Sequence, residues 1–325
     1  MTLPSKKAPY VVVSYYRLGR IEDVTAEVKS HFFFFQSLDV RSRVYVALSG
    51  INAQLSIAWE HYPLLEEWLY HHPFLRGFRC KVQPADQHVF PRLNVREKRQ
   101  LVAFDCEIDV SKTGTYLSPR EWRAWLEREE RPYLIDVRND YEWEVGHFEG
   151  SVKPHCTSSR EFITLVDGLK KTVSSEKEIM MCCTGGIRCE FFSSFLLNNG
   201  FKRVYQLEGG ILEYGRQEGN AHWKGKLFVF DDRLCVDIGE TPAPTIGICH
   251  QCGLPSDCYY NCANMDCNHL FLSCSECLQQ WKGCCRAGCQ NGVRVRHYTP
   301  GEAHRPFRRK SYYQQSSQPI AGGRT

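Results

Sequence analysis

Hydrophobic and polar positions follow three different rhythms along the chain. The first begins with YVVVSYY at residues 10–16, which predicts a strand. In IEDVTAEVKSHFFFFQSL, Val24, Val28 and the phenylalanines at 32–35 recur about once per helical turn, which predicts a helix. The four-phenylalanine run reads as core filling. RVYVALSGINAQLSIA gives two β-like runs around Gly50, Ile51 and Asn52, a predicted hairpin. EHYPLLEEWLYHH sets Leu65, Trp68 and Leu69 on one helical face, and FRCKVQPA is a last strand. The order β-α-β-β-α-β predicts a small ferredoxin-like α+β domain.

The second rhythm alternates buried strands with helices. In SPREWRAWLEREE, Ser118 is the expected N-cap, Pro119 the first helical residue and Glu121 the closing member of a capping box. A buried strand at 134–137, a helix in EFITLVDGLKKTV and a buried strand in KEIMMCC follow. EFFSSFLLNNGF then gives a helix with Gly200 past its end, and RVYQLEGGI a further strand and turn. This alternation predicts an α/β domain, a parallel sheet with helices on both faces.

The third region follows the Pro-containing stretch ETPAPT and is dominated by cysteine. The expected division is 1–110 with a basic linker, 111–240, a Cys-rich segment at 241–297, and a tail at 298–325. The tail has little apolar periodicity and is basic through Arg305, Arg308, Arg309, Lys310 and Arg324, so disorder is expected there.

Composition narrows the function. With 42% hydrophobic and 24% charged residues, packed cores are expected. The net charge of +4 permits a polyanionic partner without demanding one. Arg92, Arg96, Lys98 and Arg99 read either as a solvated face or as a phosphate-contacting patch. No apolar run is long enough to span a membrane, and the start lacks the core and cleavage site of a secretory signal. A cytoplasmic location is expected. In a reducing compartment 17 cysteines point to metal or catalysis rather than disulfides, and ten of them fall between Cys249 and Cys289.

Two cysteine patterns carry candidate chemistry. In MMCCTGGIRCE, Cys183 stands where a strand should end, and a helix should start at Arg188. Thr184, Gly185, Gly186 and Ile187 bridge them. The glycine pair lets several backbone N–H groups turn into one cradle, and the helix start adds positive potential. A thiolate at Cys183 would be favoured there, and Arg188 would add charge at the rim, where it could hold an anionic group. Cys182 should point to the opposite side of the sheet, and Cys189 should be packed. His147 in GHFEG reads as a structural hydrogen-bonding residue.

The other pattern is metal-like. Two Cys-x2-Cys knuckles about twenty residues apart assign Cys249, Cys252, Cys274 and Cys277 to one structural zinc. A second zinc would take Cys262, Cys267 and two of Cys284, Cys285 and Cys289, with Cys284 and Cys289 the expected pair and His269 or Cys258 in reserve. So small a segment buries little apolar surface, so metal would supply its folding energy.

The loop Cys-x4-Arg resembles the active-site signature of rhodanese domains, as do LIDVRNDYEWEVGHFEGSV and VYQLEGGI. That resemblance makes Cys183 the catalytic cysteine and Asp136 and Arg138 structural or rim residues. CTGGIRCE, VALSGINAQLSI and GKLFVFDDR together resemble the bacterial tRNA uridine(34) hydroxylase family over roughly residues 8 to 280. The family joins an acylphosphatase-like domain, a rhodanese domain and a Cys-containing extension. Phe191-Phe192 departs from its usual Lys-Ala, and the Cys-rich segment is denser than its usual single cluster. The resemblance implies oxygen-dependent conversion of the wobble uridine of tRNA to 5-hydroxyuridine, with the anticodon stem-loop as partner and molecular oxygen as co-substrate. No flavin, haem or iron motif is present. The expected mechanism is addition of Cys183 to C6 of a flipped-out uracil. A sulfurtransferase carrying a persulfide on the same cysteine is the alternative, and an inert RNA-binding scaffold a third reading.

Overall fold

The computed structural model describes residues 8–76, 80–104, 108–153 and 155–299. The expected basic tail lies almost wholly outside these residues. The first domain runs β1 (Tyr10–Leu18), α1 (Val24–Ser37), β2 (Arg41–Ala47), β3 (Gly50–Ala58), α2 (Tyr62–His71) and β4 (Lys81–Ala85). Its sheet has the order β4-β1-β3-β2, antiparallel throughout, as a ferredoxin-like domain requires. The basic stretch is not a free linker: Val95–Glu97 forms β5, parallel to β2 at the sheet edge. Val95 packs on the core while Arg96 and Lys98 face water, which explains the charge there.

Strand alternation separates the two faces of this sheet. Val11, Val13, Val44, Val46, Ile51 and Leu55 are buried against α1 and α2. Each large aliphatic so buried is worth about 1.5–3 kcal/mol. Ser14, Tyr16, Asn52 and Gln54 alternate with them onto the other face. Asp23 caps α1 by accepting the Ala26 N–H at 2.8 Å. Two expectations change. The hairpin turn is at Leu48 and Ser49, with Gly50 to Asn52 already paired in β3. Of the four phenylalanines only Phe35 is fully buried; Phe32 and Phe33 are exposed, because consecutive helix positions turn by about 100°.

The second domain runs β6 (Thr115–Leu117), α3 (Pro119–Leu126), β7 (Tyr133–Asp136), α4 (Asp140–Val145), β8 (Gly146–Phe148), α5 (Phe162–Thr172), β9 (Ile179–Cys182), α6 (Ile187–Asn198), β10 (Val204–Leu207) and α7 (Gly210–Glu218). β6, β10, β9 and β7 form the parallel sheet in that order. Met181 and Cys183 pack towards α5 and α6, and Met180 and Cys182 towards α3 and α7. The capping box forms: the Ser118 hydroxyl accepts the Glu121 N–H, and the Glu121 carboxylate accepts the Ser118 N–H at 2.9 Å. β8 instead pairs with Trp223–Gly225.

The Cys-rich segment folds around a short hairpin, Tyr259–Asn261 with Leu270–Leu272. Tyr259 and Leu272 pack with Val145 and Phe228, so this segment leans on α4. Tyr259 Oη donates to the Tyr141 carbonyl in the same helix.

Candidate active site

β9 is flanked on both sides, and Cys183 directly follows its carboxyl end, the usual site of ligand binding in parallel sheets. The loop turns on Gly186, whose φ is +104°. A Cβ there would lie 2.9 Å from Tyr16 Oη of the first domain, so both torsion and space require glycine. The turn aims the Gly186 N–H at Cys183 Sγ, 3.1 Å away.

A second glycine supports the loop from outside. Gly210 of LEGGI has φ +70°, and a Cβ there would come within 2.7 Å of the Cys183 carbonyl. The Ile211 and Leu212 N–H groups donate to the Cys183 and Thr184 carbonyls at 3.0 and 3.1 Å. The late Gly-Gly turn is thus a clamp on the cysteine loop.

Cys183 is buried, and burial pushes its thiol up. The Cys189 thiol, the Arg188 charge and the Cys189 and Gly186 N–H groups outweigh that and bring it down to about 5. Burial, reinforced by hydrogen bonding to Cys183, holds the Cys189 thiol well above its usual range, so Cys189 stays protonated and donates. Cys182 also stays protonated, raised mainly by burial, on the far side of the sheet.

Arg188 is not a rim residue waiting for an anion. Its guanidinium makes a bidentate pair with the fully buried Glu142 of α4, at 2.6 and 2.8 Å, and donates to Thr184 Oγ1 at 3.2 Å. Glu142 is the principal site residue that sequence reasoning missed. Its only local signal is the capping box it closes over Asn139. Asp136 and Arg138 form a separate pair at 2.6 Å, both fully buried, and are structural. His147 Nδ1 lies 2.9 Å from the Trp143 carbonyl and its ring stacks on Trp143, a structural role as well.

The cysteine loop does not face open solvent. The outer face of the first domain's sheet lies over it and leaves a cleft of about 280 Å³. Cys183, Thr184, Gly185, Ile187 and Arg188 line one wall, and Tyr16, Tyr45, Asn52 and Gln54 belong to the other. Two polar contacts close one end: Lys81 Nζ donates to the Gly185 carbonyl, and Tyr16 Oη donates to Glu190 at 2.8 Å. Arg96 and Lys98 stay exposed at the edge of the sheet. Arg92 is elsewhere, lining a surface groove with Phe32, Asp39 and Arg41 that does not include the cysteine.

Ten cysteines near the carboxyl end sort into two tetrads and two others. The sulfurs of Cys249, Cys252, Cys274 and Cys277 lie within 4.8 Å of one another, as do those of Cys262, Cys267, Cys285 and Cys289. Both tetrads can hold a metal ion. Cys252–Cys274 at 3.8 Å, Cys267–Cys285 at 3.7 Å and Cys285–Cys289 at 3.9 Å are far too long for disulfides. They fit the edges of about 3.8 Å of a thiolate tetrahedron with metal–sulfur bonds of about 2.3 Å. Cys285 takes the place expected for Cys284. Its N–H donates to Cys262 Sγ at 3.4 Å and its sulfur lies with those of Cys262, Cys267 and Cys289, while both Cys284 and Cys285 are buried in the segment's core.

Comparison with known proteins covers most of the chain. Residues 10–101 match the UPF0176 acylphosphatase like domain, 118–217 the rhodanese-like domain, and 224–290 the rhodanase C-terminal family. The tRNA uridine(34) hydroxylase of Protochlamydia amoebophila is 47% identical over 310 residues, spanning 95% of this chain and 97% of that protein. Those of Chlamydia abortus and Chlamydia caviae are 44% and 43% identical, each aligned with 93% of this chain and with 94% and 92% of their own lengths.

Proposed function

The chain belongs to the tRNA uridine(34) hydroxylase family, and on that premise we propose that it converts the wobble uridine of tRNA to 5-hydroxyuridine with Cys183 as nucleophile. The observation that carries this is the Cys183 sulfur held at 3.1 Å by the Gly186 amide beside Arg188 in a cleft of about 280 Å³, a setting that lowers its thiol to about 5. At neutral pH it is a thiolate. Cys183 Sγ adds to C6 of the uracil, and the C5=C6 pair moves into an enolate over C5 and O4. C5 then takes one oxygen atom, loses its proton, and the thiolate leaves C6 to restore the double bond. With dioxygen as oxidant, the second oxygen atom departs as water and a reductant of the thiol class supplies two electrons.

Arg188 acts through charge. Fixed by Glu142, it holds the thiolate form and does not grip the RNA. Thr184, Gly185 and Ile187 line the wall a base would meet, and Gly186 supplies an amide to the sulfur. Arg96 and Lys98 would take phosphates of the anticodon stem-loop. Removing both by alanine should lower the slope of log affinity against log salt by roughly 1.5, measured by titration of a tRNA stem-loop. An unchanged slope would remove them from the interface.

The metals of the two tetrads are zinc on this reading, closed sites of four thiolates with a folding role. Elemental analysis should find two zinc ions per chain. Cys285→Ser should lose one, and Cys284→Ser should keep both. The place of work is the cytoplasm, where tRNA and reduced cysteines coexist.

Mass spectrometry of tRNA nucleosides from cells lacking the protein tests the function. Loss of wobble 5-hydroxyuridine supports the hydroxylase. Loss of a thiolated nucleoside instead selects the sulfurtransferase, which would use the same Sγ as a persulfide.

A further inference from the structure

The outer face of the first domain's sheet has a composition that water exposure alone does not explain. Strand pairing sets its side chains in two rows. One runs Tyr16, Asn52, Tyr45 and Arg96 across β1, β3, β2 and β5. In the next row Gln54 stands between Ser14 and Arg43. A face bearing aromatics, side-chain amides and a basic edge is the surface on which ferredoxin-like sheets take single-stranded RNA: rings stack on bases and amides bond their edges.

Here that surface is turned towards the thiolate. Tyr16, Tyr45, Asn52 and Gln54 line the same cleft as Cys183. Tyr16 is held by its bond to Glu190, so its ring is already in place. Among the described residues no hydrogen bond ties the Asn52 or Gln54 amide, although both are half-buried. Their donors and acceptors are therefore free to bond whatever enters the cleft. Lys98 Nζ sits 5.1 Å from the centre of the Tyr45 ring, so the aromatic and basic parts of the face are continuous.

We propose that this sheet face is the nucleobase-binding half of the active site, taking one unstacked uracil of an RNA loop. Asn52 and Gln54 bond the polar edge of the base, which places C6 towards Cys183. Tyr45 gives the ring an apolar wall, and the RNA backbone leaves over Arg96 and Lys98. The inference rests on the hydroxylase reading for the identity of the base. It adds that the first domain supplies the polar contacts to that base, with the cysteine loop as the facing wall.

The test is binding of anticodon stem-loops that carry either uridine or an abasic residue at position 34. It uses the full chain with Cys183→Ser, so that no turnover occurs. The parent should favour uridine by about tenfold, the value of one or two hydrogen-bonded contacts. Adding Asn52→Ala and Gln54→Ala should bring that ratio close to one while affinity for the abasic loop holds, since phosphate contacts remain. Tyr45→Ala should lower the ratio, and Tyr45→Phe should keep it. The abasic affinity reports folding, so a misfolded variant is recognised by losing both ligands. A ratio of one in the parent, or a parental ratio kept in the Asn52/Gln54 variant, overturns the base site. That result leaves the hydroxylase reading standing if cells lacking the protein lose 5-hydroxyuridine. If the ratio falls as expected but 5-hydroxyuridine persists in such cells, the hydroxylase reading fails and the base site remains.

Discussion

Cys183→Ser should lower 5-hydroxyuridine formation by roughly a thousandfold or more, because a hydroxyl in the same cradle does not ionise near neutrality. The wild-type side of the same prediction is a pH profile. Alkylation of Cys183 by a small probe should be half-maximal at a pH of about 5 and flat from neutrality upwards. The sign follows from the reacting form: thiolate predominates above that pH and disappears below it. Arg188→Met removes one of the charges that favour thiolate, so its half-point should move up. A half-point near 8.5, the unperturbed thiol value, would refute the cradle. Hydroxylation that survives in Cys183→Ser would refute the nucleophile.

Glu142→Gln should destabilise the protein by up to about 3–5 kcal/mol, the cost of breaking a buried ion pair, with the Cys183 thiolate left as the remaining anion near Arg188. Arg188 would then keep its charge where water scarcely reaches. Replacing both partners, as Glu142→Gln with Arg188→Met, should recover much of the loss, since the stranded charge is gone. Denaturant unfolding of the two single variants and the double variant measures this coupling. Additive losses would mean that the two residues act separately, contrary to the bidentate contact at 2.6 and 2.8 Å. The pair also explains a use for the metal segment. Tyr259 and Leu272 brace α4, which carries Glu142, which fixes Arg188 beside the thiolate. Loss of metal should therefore loosen the cysteine loop from a distance.

Local chemistry made much of this legible. The strand at KEIMMCC, the glycine pair and the following helix are contiguous, so the cradle for Cys183 is written in one short stretch. The Ser118–Glu121 box and the alternation in YVVVSYY are also near-neighbour effects, and each formed where expected. Spacing assigned the first sulfur tetrad because its two knuckles are local pairs. Spacing did not choose between Cys284 and Cys285. Adjacent residues point differently, and only the fold of the segment sets which sulfur meets Cys262.

By itself, then, the sequence determined what depends on neighbours along the chain: most of the element types, the two sheets, the candidate nucleophile and the set of cysteines from which the two tetrads are drawn. Tertiary structure alone decided what depends on neighbours in space. It gave Arg188 a buried carboxylate partner 46 positions away, and it laid the outer face of one sheet over the active loop of another. The reason is that backbone geometry repeats over a few residues and leaves a periodic trace. The meeting of two surfaces distant in the chain depends on shape and charge, and leaves no period to read.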